Sequence, residues 1–348
     1  MSVKKKVLIA PLDWGLGHTT RCIPIIEALL KRGHKVYSCG NKNSELIFKE
    51  HFPKLHHIII DGYQPRYSKG NNQGLSMLAQ SPKFFRRIIQ EKKTAEEIVS
   101  KFKIDYIISD SRFGFRSSRT TNVFISHQIH IQGPGFLKPL FLKINLKFIN
   151  NFHYCWIPDY SDNSLSGKLT QNPLPKNTSF IGPVSRFNQN AENNKEKIFK
   201  YLGIISGPEP QRSMLENILF NELSKENFKC AIIGGNMNKS VHTKDNISYF
   251  PHLSTDAFFK LISESESIIC RPGYSSIMDL HILNKKAVFI PTPGQTEQEY
   301  LAKYHSQKSS IGWIHQNLFK LTETLPFGKI RTGRSTSLLK REMEKIGL

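Results

Sequence analysis

Short apolar runs alternate with stretches of helical periodicity along most of the chain. The run Val7–Ala10 precedes the stretch Thr19–Arg32, in which apolar residues recur at helical spacing, and the run Lys35–Cys39 follows. Buried strands that alternate with amphipathic helices are typical of parallel α/β sheets. The pattern therefore predicts an α/β protein built from doubly wound, Rossmann-like parallel sheets.

The same alternation predicts the positions of the other elements. Further strands are predicted at Leu55–Ile60, Ile104–Ser109, Asn122–Ser126, Tyr154–Pro158, Leu202–Ser206, Lys229–Ile233, Ile247–Phe250, Ser267–Cys270 and Ala287–Pro291. Further helices are predicted at Leu46–His51, Pro82–Phe102, Ser213–Ser224, Asp256–Ser263, Ser276–Leu283 and Ser335–Ile346.

Two polar stretches interrupt the alternation. Residues 61–82 are rich in Gly, Asn and Gln and predict a long loop, and Ser185–Lys197 is Asn-rich and predicts an interdomain linker. We therefore predict an N-terminal domain over residues 1–185 and a C-terminal domain over residues 186–334. We also predict a terminal helix in residues 335–348, and one possible arrangement is that it packs back on the N-terminal domain.

Composition limits the class of protein. A chain of 348 residues is long enough for two domains, and no run of 18 apolar residues is present. The basic N-terminus leads directly into the first strand and lacks the apolar region of a signal peptide. Five cysteines are an odd number and include no Cys-x-x-Cys pair. We therefore expect a reducing, cytoplasmic environment without a disulfide or zinc framework.

The formal net charge of +21 is unevenly distributed. Residues 1–185 hold 27 Lys and Arg against 12 Asp and Glu, a net charge of +15, and residues 186–348 hold 22 against 16, a net charge of +6. Excess positive charge on one half indicates an anionic partner there, such as a membrane surface, a phosphate-bearing acceptor or nucleic acid. Alternatively, the charge reflects a composition rich in Lys, Asn and Ile.

A strand–turn–helix unit at Ile269–Leu280 is the first candidate site. Pro272 and Gly273 form its turn, and Ser275 and Ser276 are good residues for a helix start. Such a turn directs backbone N–H groups and the positive end of a helix towards one point, which suits a phosphate. Many parallel α/β proteins have turns of this kind without a ligand, so the unit alone does not assign a function.

A second candidate site is the glycine loop between the first strand and helix. Its Gly15-Leu-Gly17-His18 sequence lacks the third glycine and the acidic residue of a dinucleotide fingerprint. The unperturbed pKa of a histidine suits proton abstraction near neutral pH. Asp110 ends a predicted strand of the same sheet and could pair with His18, although a turn or helix-cap role is an equal alternative.

These features together resemble GT-B glycosyltransferases, and most closely the family 28 enzymes of the lipid II-forming N-acetylglucosaminyltransferase type. Arg271-x-Gly273 is similar to the family's turn, Asp279 to its ribose-binding acid, and Gln298-Glu299 stands where the family has a Gln-Gln pair. The loop ending at His18 is similar to the family's histidine loop. The resemblance implies two Rossmann-like domains that face a cleft. It also implies that the protein is a metal-independent hexosyltransferase whose donor is a nucleotide sugar, with a UDP-sugar favoured.

The resemblance also implies roles for individual residues. The catalytic pair is His18 and Asp110, and the acceptor side is Gly15 and Gly17. His127 directly follows the predicted strand Asn122–Ser126 and by this position could also line the acceptor side, with a structural turn histidine as the alternative. The donor-binding residues are Arg186, Ser206, Gly207, Arg271, Gly273, Tyr274, Ser275, Ser276, Asp279, Gln298 and Glu299. No metal site and no cofactor are expected, because the family stabilises the leaving diphosphate with helix dipoles and side chains.

The stretch Phe136–Phe152 carries apolar residues at helical spacing with lysines among them. It predicts either a core helix or a helix that lies on an anionic membrane. A glycan or lipid-linked acceptor would agree with a peripheral position on the cytoplasmic face of a membrane. Two other functions remain as alternatives: a nucleotide-sugar 2-epimerase of the same fold, and a basic nucleic-acid-binding protein, for which no recognised motif is present.

Overall fold

The computed structural model describes residues 3–63, 81–132, 137–187, 196–235, 240–251, 253–322, 324–331 and 338–348, without the side chain of Ser81. Contacts divide these residues into two units. The first unit runs to Arg186 and includes residues 338–348, and the second runs from Phe187 to Arg331 within the described residues.

The first unit contains a seven-stranded sheet, all parallel, with the order β3-β2-β1-β4-β5-β6-β7. Its strands are β1 Lys6–Pro11, β2 Lys35–Gly40, β3 His56–Ile59, β4 Tyr106–Asp110, β5 Thr121–Ile125, β6 Tyr154–Ile157 and β7 Thr178–Phe180. Its helices are α1 Gly17–Lys31, α2 Lys42–His51, α3 Ser81–Phe102, α4 Lys138–Ile149, a short 3₁₀ helix Gly167–Thr170, and α9 Leu338–Lys345. The strand order reverses between β1 and β4, and ligands of doubly wound sheets bind at such a switch point.

The second unit also contains a seven-stranded sheet, with the order β10-β11-β9-β8-β12-β13-β14. Its strands are β8 Phe199–Ile204, β9 Cys230–Ile233, β10 His242–Lys244, β11 Ile247–Phe250, β12 Ser265–Cys270, β13 Lys286–Phe289 and β14 Gly328–Lys329. Its helices are α5 Gln211–Leu223, α6 Thr255–Ser263, α7 Tyr274–Ile282, α8 Thr296–Ser309 and a 3₁₀ helix Gln316–Leu318. The two edge strands β10 and β14 are antiparallel, and the five strands between them repeat the order of β3-β2-β1-β4-β5.

Strand β1 is buried on both faces. Val7 and Ile9 belong to the core cluster that contains helix α1, whereas Leu8 and Ala10 belong to the cluster that contains helix α3. This division follows from the two-residue period of side chains along a strand. Full burial of one large aliphatic side chain stabilises a fold by about 1.5–3 kcal/mol. The packing therefore holds the carboxyl end of β1, where the glycine loop begins, against two layers of helices.

Residues 338–348 pack on the first unit. Met343 and Leu348 are buried in the same cluster as Val7. Arg32, at the end of α1, donates a hydrogen bond to the Leu348 carbonyl oxygen at 2.6 Å, and the Tyr106 hydroxyl donates one to the Ile346 carbonyl oxygen at 2.8 Å. The segment thus covers the ends of α1 and β4.

Most predicted elements are present with ends that differ by a few residues. Strands β7, β10 and β14 and helix α8 were not predicted, because the strands have three residues or fewer and α8 has few buried apolar residues. Most of the predicted loop and linker, residues 64–80 and 188–195, lies outside the described residues. None of the helices within the described ranges has the length and apolar character needed to span a membrane.

Candidate active site

The glycine loop follows β1 and leads into helix α1. Gly15 has a φ of +85°, a conformation that strains residues with a side chain, and Leu16 precedes the first helical residue, Gly17. His18 is therefore in the first turn of α1, at the carboxyl end of β1. The sharp turn at Gly15 is what directs the chain from the strand into the helix.

Asp110 lies beside this loop because β4 pairs with β1. It is the last residue of β4, is in register with Pro11, and accepts a backbone hydrogen bond from Leu12 at 2.9 Å. Its carboxylate is fully buried, and Oδ1 lies 3.0 Å from Nδ1 of His18. The structure thus brings together the two residues that the sequence proposed as a pair.

Arg21 joins this pair and was missed by the sequence analysis. It lies one helical turn after His18, is 2% exposed, and donates from Nε to Oδ2 of Asp110 at 2.5 Å and from Nη2 to Oδ1. Its Nη2 also lies 2.8 Å from Nδ1 of His18. One feature of the sequence could have indicated its burial: Arg21 is a charged residue on the face of α1 that also buries Cys22 and Ile25.

The charges in the cluster set the protonation of His18 and Asp110. Burial lowers the pKa of His18, Arg21 lowers it further, and Asp110 opposes both effects. Burial raises the pKa of Asp110, but Arg21 and His18 outweigh burial and bring this pKa well below its usual range. At neutral pH, His18 is therefore a neutral imidazole beside an ionised carboxylate, which is the arrangement required of a general base.

His127 follows β5 and completes the cluster. Its side chain is buried, its Nδ1 lies 3.0 Å from Nη1 of Arg21, and its ring centroid lies 6.3 Å from that of His18. The sequence placed His127 on the acceptor side by the position of its strand. The structure brings it to the same guanidinium that contacts His18 and Asp110.

A second buried charge cluster supports the start of the loop. Arg112, fully buried, donates from Nε to Glu91 at 2.6 Å and from Nη1 to the Pro11 carbonyl oxygen at 3.2 Å, and its Nη2 lies 3.8 Å from Asp13. Asp13 also accepts a hydrogen bond from the backbone of Tyr63. These contacts connect the loop after β1 with helix α3 and the segment after β3.

In the second unit, the predicted strand, turn and helix are present, but α7 begins at Tyr274 and not at Ser276, so Gly273 takes the N-cap position predicted for Ser275 or Ser276. Strand β12 ends at Cys270, and Gly273 precedes α7 without a side-chain cap. Ser275, Ser276 and Asp279 are partly exposed on α7, whereas Tyr274 is 3% exposed. The nine-residue helix begins here, so the positive end of its dipole lies at this turn.

Arg271 is inside the second unit and not on its surface. It is 1% exposed and donates to the Ile290 carbonyl oxygen at 2.9 Å, the Gln211 carbonyl oxygen at 3.1 Å and the Gln316 side-chain oxygen at 2.5 Å. Burial lowers the pKa of Arg271 to about 9. Arg271 thus holds the end of β13, the start of α5 and the 3₁₀ helix near one another, and its contact with a donor stays a prediction.

The other predicted donor-binding residues of the second unit lie on the loop after β8 and in the first turn of α8. Ser206 and Gly207 are exposed after β8, and Gly207 has a φ of +101°. Gln298 accepts a hydrogen bond from the Thr292 backbone at 2.8 Å, and Glu299 accepts one from the Gly294 backbone at 2.8 Å. Both side chains thereby brace the loop after β13.

Arg186 is partly buried and belongs to the first unit, where the sequence placed it at the start of the C-terminal domain. Its contact with a diphosphate stays a prediction. Among the residues with described positions, no group of three or more His, Cys, Asp or Glu side chains is arranged to hold a metal ion.

The fold is that of GT-B glycosyltransferases. The calicheamicin glycosyltransferase CalG4 has a TM-score of 0.62 at 10% identity, over 91% of this chain and 87% of that one. The glycosyltransferase SsfS6 of Streptomyces sp. SF2575, complexed with thymidine diphosphate, has a TM-score of 0.62 at 12% identity, over 89% and 87%. MurG of Acinetobacter baumannii has a TM-score of 0.53 at 13% identity, over 91% and 87%.

The chain belongs to the family described as Glycosyl transferase family 1, whose sequence model matches residues 6–322. It is also 25% identical over 334 residues to the UDP-N-acetylglucosamine–N-acetylmuramyl-(pentapeptide) pyrophosphoryl-undecaprenol N-acetylglucosamine transferase of Buchnera aphidicola subsp. Schizaphis graminum, over 90% of this chain and 86% of that one. The predicted resemblance to GT-B enzymes of this type is confirmed, and the protein is a glycosyltransferase.

Proposed function

We propose that this glycosyltransferase moves a sugar from a UDP-sugar to a hydroxyl group of a lipid-linked glycan acceptor. The pairing of His18 with Asp110 at the carboxyl ends of β1 and β4 carries the proposal, because transfer to a hydroxyl needs a base. The name of the Buchnera relative supports the choice of substrates, since it includes a UDP-sugar donor and a pyrophosphoryl-undecaprenol acceptor.

In the proposed reaction, Nε2 of His18 takes the proton of the acceptor hydroxyl while the oxygen attacks the anomeric carbon of the donor sugar. The bond between that carbon and the diphosphate oxygen breaks, and UDP leaves with the electron pair. Asp110 stabilises the imidazolium that forms, and Arg21 keeps Asp110 ionised in its buried position.

The donor is proposed to bind the second unit at the start of α7. The N-terminus of α7 and the hydroxyl groups of Ser275 and Ser276 suit a diphosphate, and the carboxylate of Asp279 suits a ribose hydroxyl. The described partners of Arg271 are uncharged oxygen atoms, so its buried positive charge adds positive potential to this region. Further donor contacts are proposed from Arg186, Ser206, Gly207, Gly273, Tyr274, Gln298 and Glu299.

A membrane-facing surface on the first unit is part of the proposal. Phe85 and Ile89 on α3 and Leu140 and Ile144 on α4 are exposed. The ring of Phe85 lies 6.0 Å from that of Phe148, so the two helices are neighbours. Exposed basic residues on the same helices include Lys83, Arg86, Lys138, Lys143 and Lys147. Apolar side chains among cations suit an anionic bilayer surface. This surface supports a peripheral position at the inner face of the cytoplasmic membrane, which we propose for the enzyme.

A binding and transfer assay tests the function. A UDP-sugar at 100 times its dissociation constant is expected to stabilise the protein by about 2.7 kcal/mol, whereas the matched ADP-sugar is expected to have no effect. Incubation with a polyprenyl-diphosphate-linked sugar is expected to give one glycosylated product and UDP. Conversion of the UDP-sugar to its 2-epimer without an acceptor would contradict transfer and favour the epimerase. Stabilisation by DNA, with no effect of any nucleotide sugar, would contradict both enzymatic functions.

A further inference from the structure

We infer that Arg21 is a positioning residue that holds His127 in one neutral tautomer, with the proton on Nε2. His127 is then a hydrogen-bond donor to an oxygen atom on the acceptor side of the site, and His18 alone has the form of a base. The roles of base and donor rest on the proposed transfer, whereas the tautomer of His127 does not.

The contact between Arg21 and His127 can form in only one direction. A guanidinium has N–H donors and no acceptor, so Nη1 of Arg21, 3.0 Å from Nδ1 of His127, must be the donor. Nδ1 of His127 must then carry a lone pair. A neutral imidazole with a lone pair on Nδ1 carries its proton on Nε2.

The donor in this contact is held in place. Arg21 binds both oxygens of Asp110 through Nε and Nη2, and its side chain is 2% exposed. Bidentate pairing fixes the plane of a guanidinium as well as its position. Its Nη1 therefore has a fixed direction. His127 is itself buried after β5, so its Nδ1 faces this N–H group.

His18 is in a different situation within the same cluster. Its Nδ1 lies 3.0 Å from an oxygen of Asp110, which can accept a proton, and 2.8 Å from Nη2 of Arg21, which can donate one. When Nδ1 donates to Asp110, Nε2 of His18 carries the lone pair that a base needs. The two imidazoles then present opposite groups at Nε2: a lone pair on His18 and an N–H on His127.

This difference separates two chemical roles. A neutral imidazole N–H is a donor to an oxygen that carries partial negative charge, and it does not compete with a neighbouring imidazole for the same proton. The arrangement assigns proton removal to His18 and orientation of the acceptor to His127. It also makes His127 a poor substitute for His18 as the base.

The tautomers can be measured directly by NMR of protein with ¹⁵N-labelled histidine rings, without substrates. His127→Gln identifies the signals of His127. We expect the wild-type signals near neutral pH to show a protonated Nε2 and an unprotonated Nδ1. In Arg21→Met/Asp110→Asn, which removes both members of the ion pair and leaves no unpaired charge, we expect a mixture of tautomers. Arg119→Met, which alters a half-exposed ion pair, is the control and should leave the signals unchanged.

A proton on Nδ1 of His127 in the wild type would overturn the inference, as would a tautomer that stays unchanged in the folded double variant. A kinetic comparison separates the donor from a base. Gln at position 127 retains an N–H group, so His127→Gln should keep turnover within a few-fold, whereas His127→Leu should lose about 10²–10³-fold, the usual effect of removing one donor. Equal losses in the two variants would count against the donor role. Because the NMR result needs no transfer, failure of the proposed function would not alter it.

Discussion

Nδ1 of His18 lies 2.8 Å from Nη2 of Arg21 and 3.0 Å from Oδ1 of Asp110. A cation and a carboxylate therefore compete for one imidazole nitrogen. Pairing with Asp110 strengthens His18 as a base, and the guanidinium weakens it. The basicity of His18 thus depends on the ion pair beside it as well as on its own burial.

Replacement of His18 by Gln should lower turnover by roughly 10²–10⁴-fold, the usual contribution of a positioned base. Binding of UDP to the second unit should stay unchanged, because His18 belongs to the first unit. Steady-state kinetics and calorimetry measure the two quantities, and His56→Gln, at an exposed histidine, is the matched control. Full turnover in the His18 variant would show that the base lies elsewhere.

The pH dependence of kcat/KM should reflect the lowered pKa of His18. The acid limb of the profile is expected to have its midpoint below about 6.5, the ordinary value for histidine. In Arg21→Met, a cation is removed and Asp110 loses its counter-ion, and both changes raise the pKa of His18. The limb should therefore move to higher pH, and an unchanged or lower midpoint would contradict this account.

The ion pair between Arg21 and Asp110 should dominate the stability of the site. Asp110→Asn leaves a buried guanidinium without its carboxylate and should lower the free energy of unfolding by about 3–5 kcal/mol. Arg21→Met/Asp110→Asn should lose less than the sum of the single variants. Denaturant unfolding measures these values.

The ion pair between Arg21 and Asp110 should also make the stability of the protein depend on pH. The pKa of Asp110 is lowered on folding, so its contribution is present above the ordinary carboxyl value of about 3.9 and is lost as the pH falls below it. The difference in stability between wild type and Asp110→Asn should therefore shrink below about pH 4. A difference that grows as the pH falls would contradict the assigned ion pair.

Asp279→Ala should weaken UDP binding by about 1.5–3 kcal/mol, the contribution of a hydrogen bond to a charged group. Glu266→Ala is a suitable control, because Glu266 lies near the opposite end of β12 and is paired with Lys200 at the surface. Isothermal calorimetry with UDP gives both affinities. Equal affinity of the Asp279 variant and the wild type would remove this carboxylate from the donor site.

Binding to vesicles should test the membrane-facing surface. The protein should co-sediment with anionic but not neutral vesicles, and added salt should weaken binding. Phe85→Ser/Leu140→Ser should reduce binding, whereas Leu318→Ser, at an exposed leucine of the second unit, should not. Equal binding to both types of vesicle, or to neither, would contradict the proposal.

The sequence was sufficient to predict the strand and helix that carry the site and the contact between its two proposed catalytic groups. Strand β1 and helix α1 follow from local apolar patterns, and Asp110 meets His18 because parallel strands end at one edge of a sheet. Arg21 was not predictable in the same way, because an arginine in a helix is usually exposed, whereas this one is buried beside Asp110 and His127, which are distant in sequence.

Arg271 has surroundings that the sequence did not predict. Its place beside a glycine turn suggested a ligand contact, but its side chain points into the unit. The partners Gln211 and Gln316 are 60 and 45 residues away in sequence, so no local pattern indicated them. The local pattern predicted the turn itself, and long-range packing determined the partners of one of its residues.

The packing of residues 338–348 on α1 and β4 has a consequence for biosynthesis. The ribosome completes the strands of the first unit early, but it translates the segment that covers them only after the whole second unit. Until then, the core cluster shared by β1 and α1, which includes Val7, lacks Met343 and Leu348. The first unit therefore reaches its final packing after the second unit has been made, and a nascent chain halted at residue 186 would expose an apolar surface to chaperones and proteases.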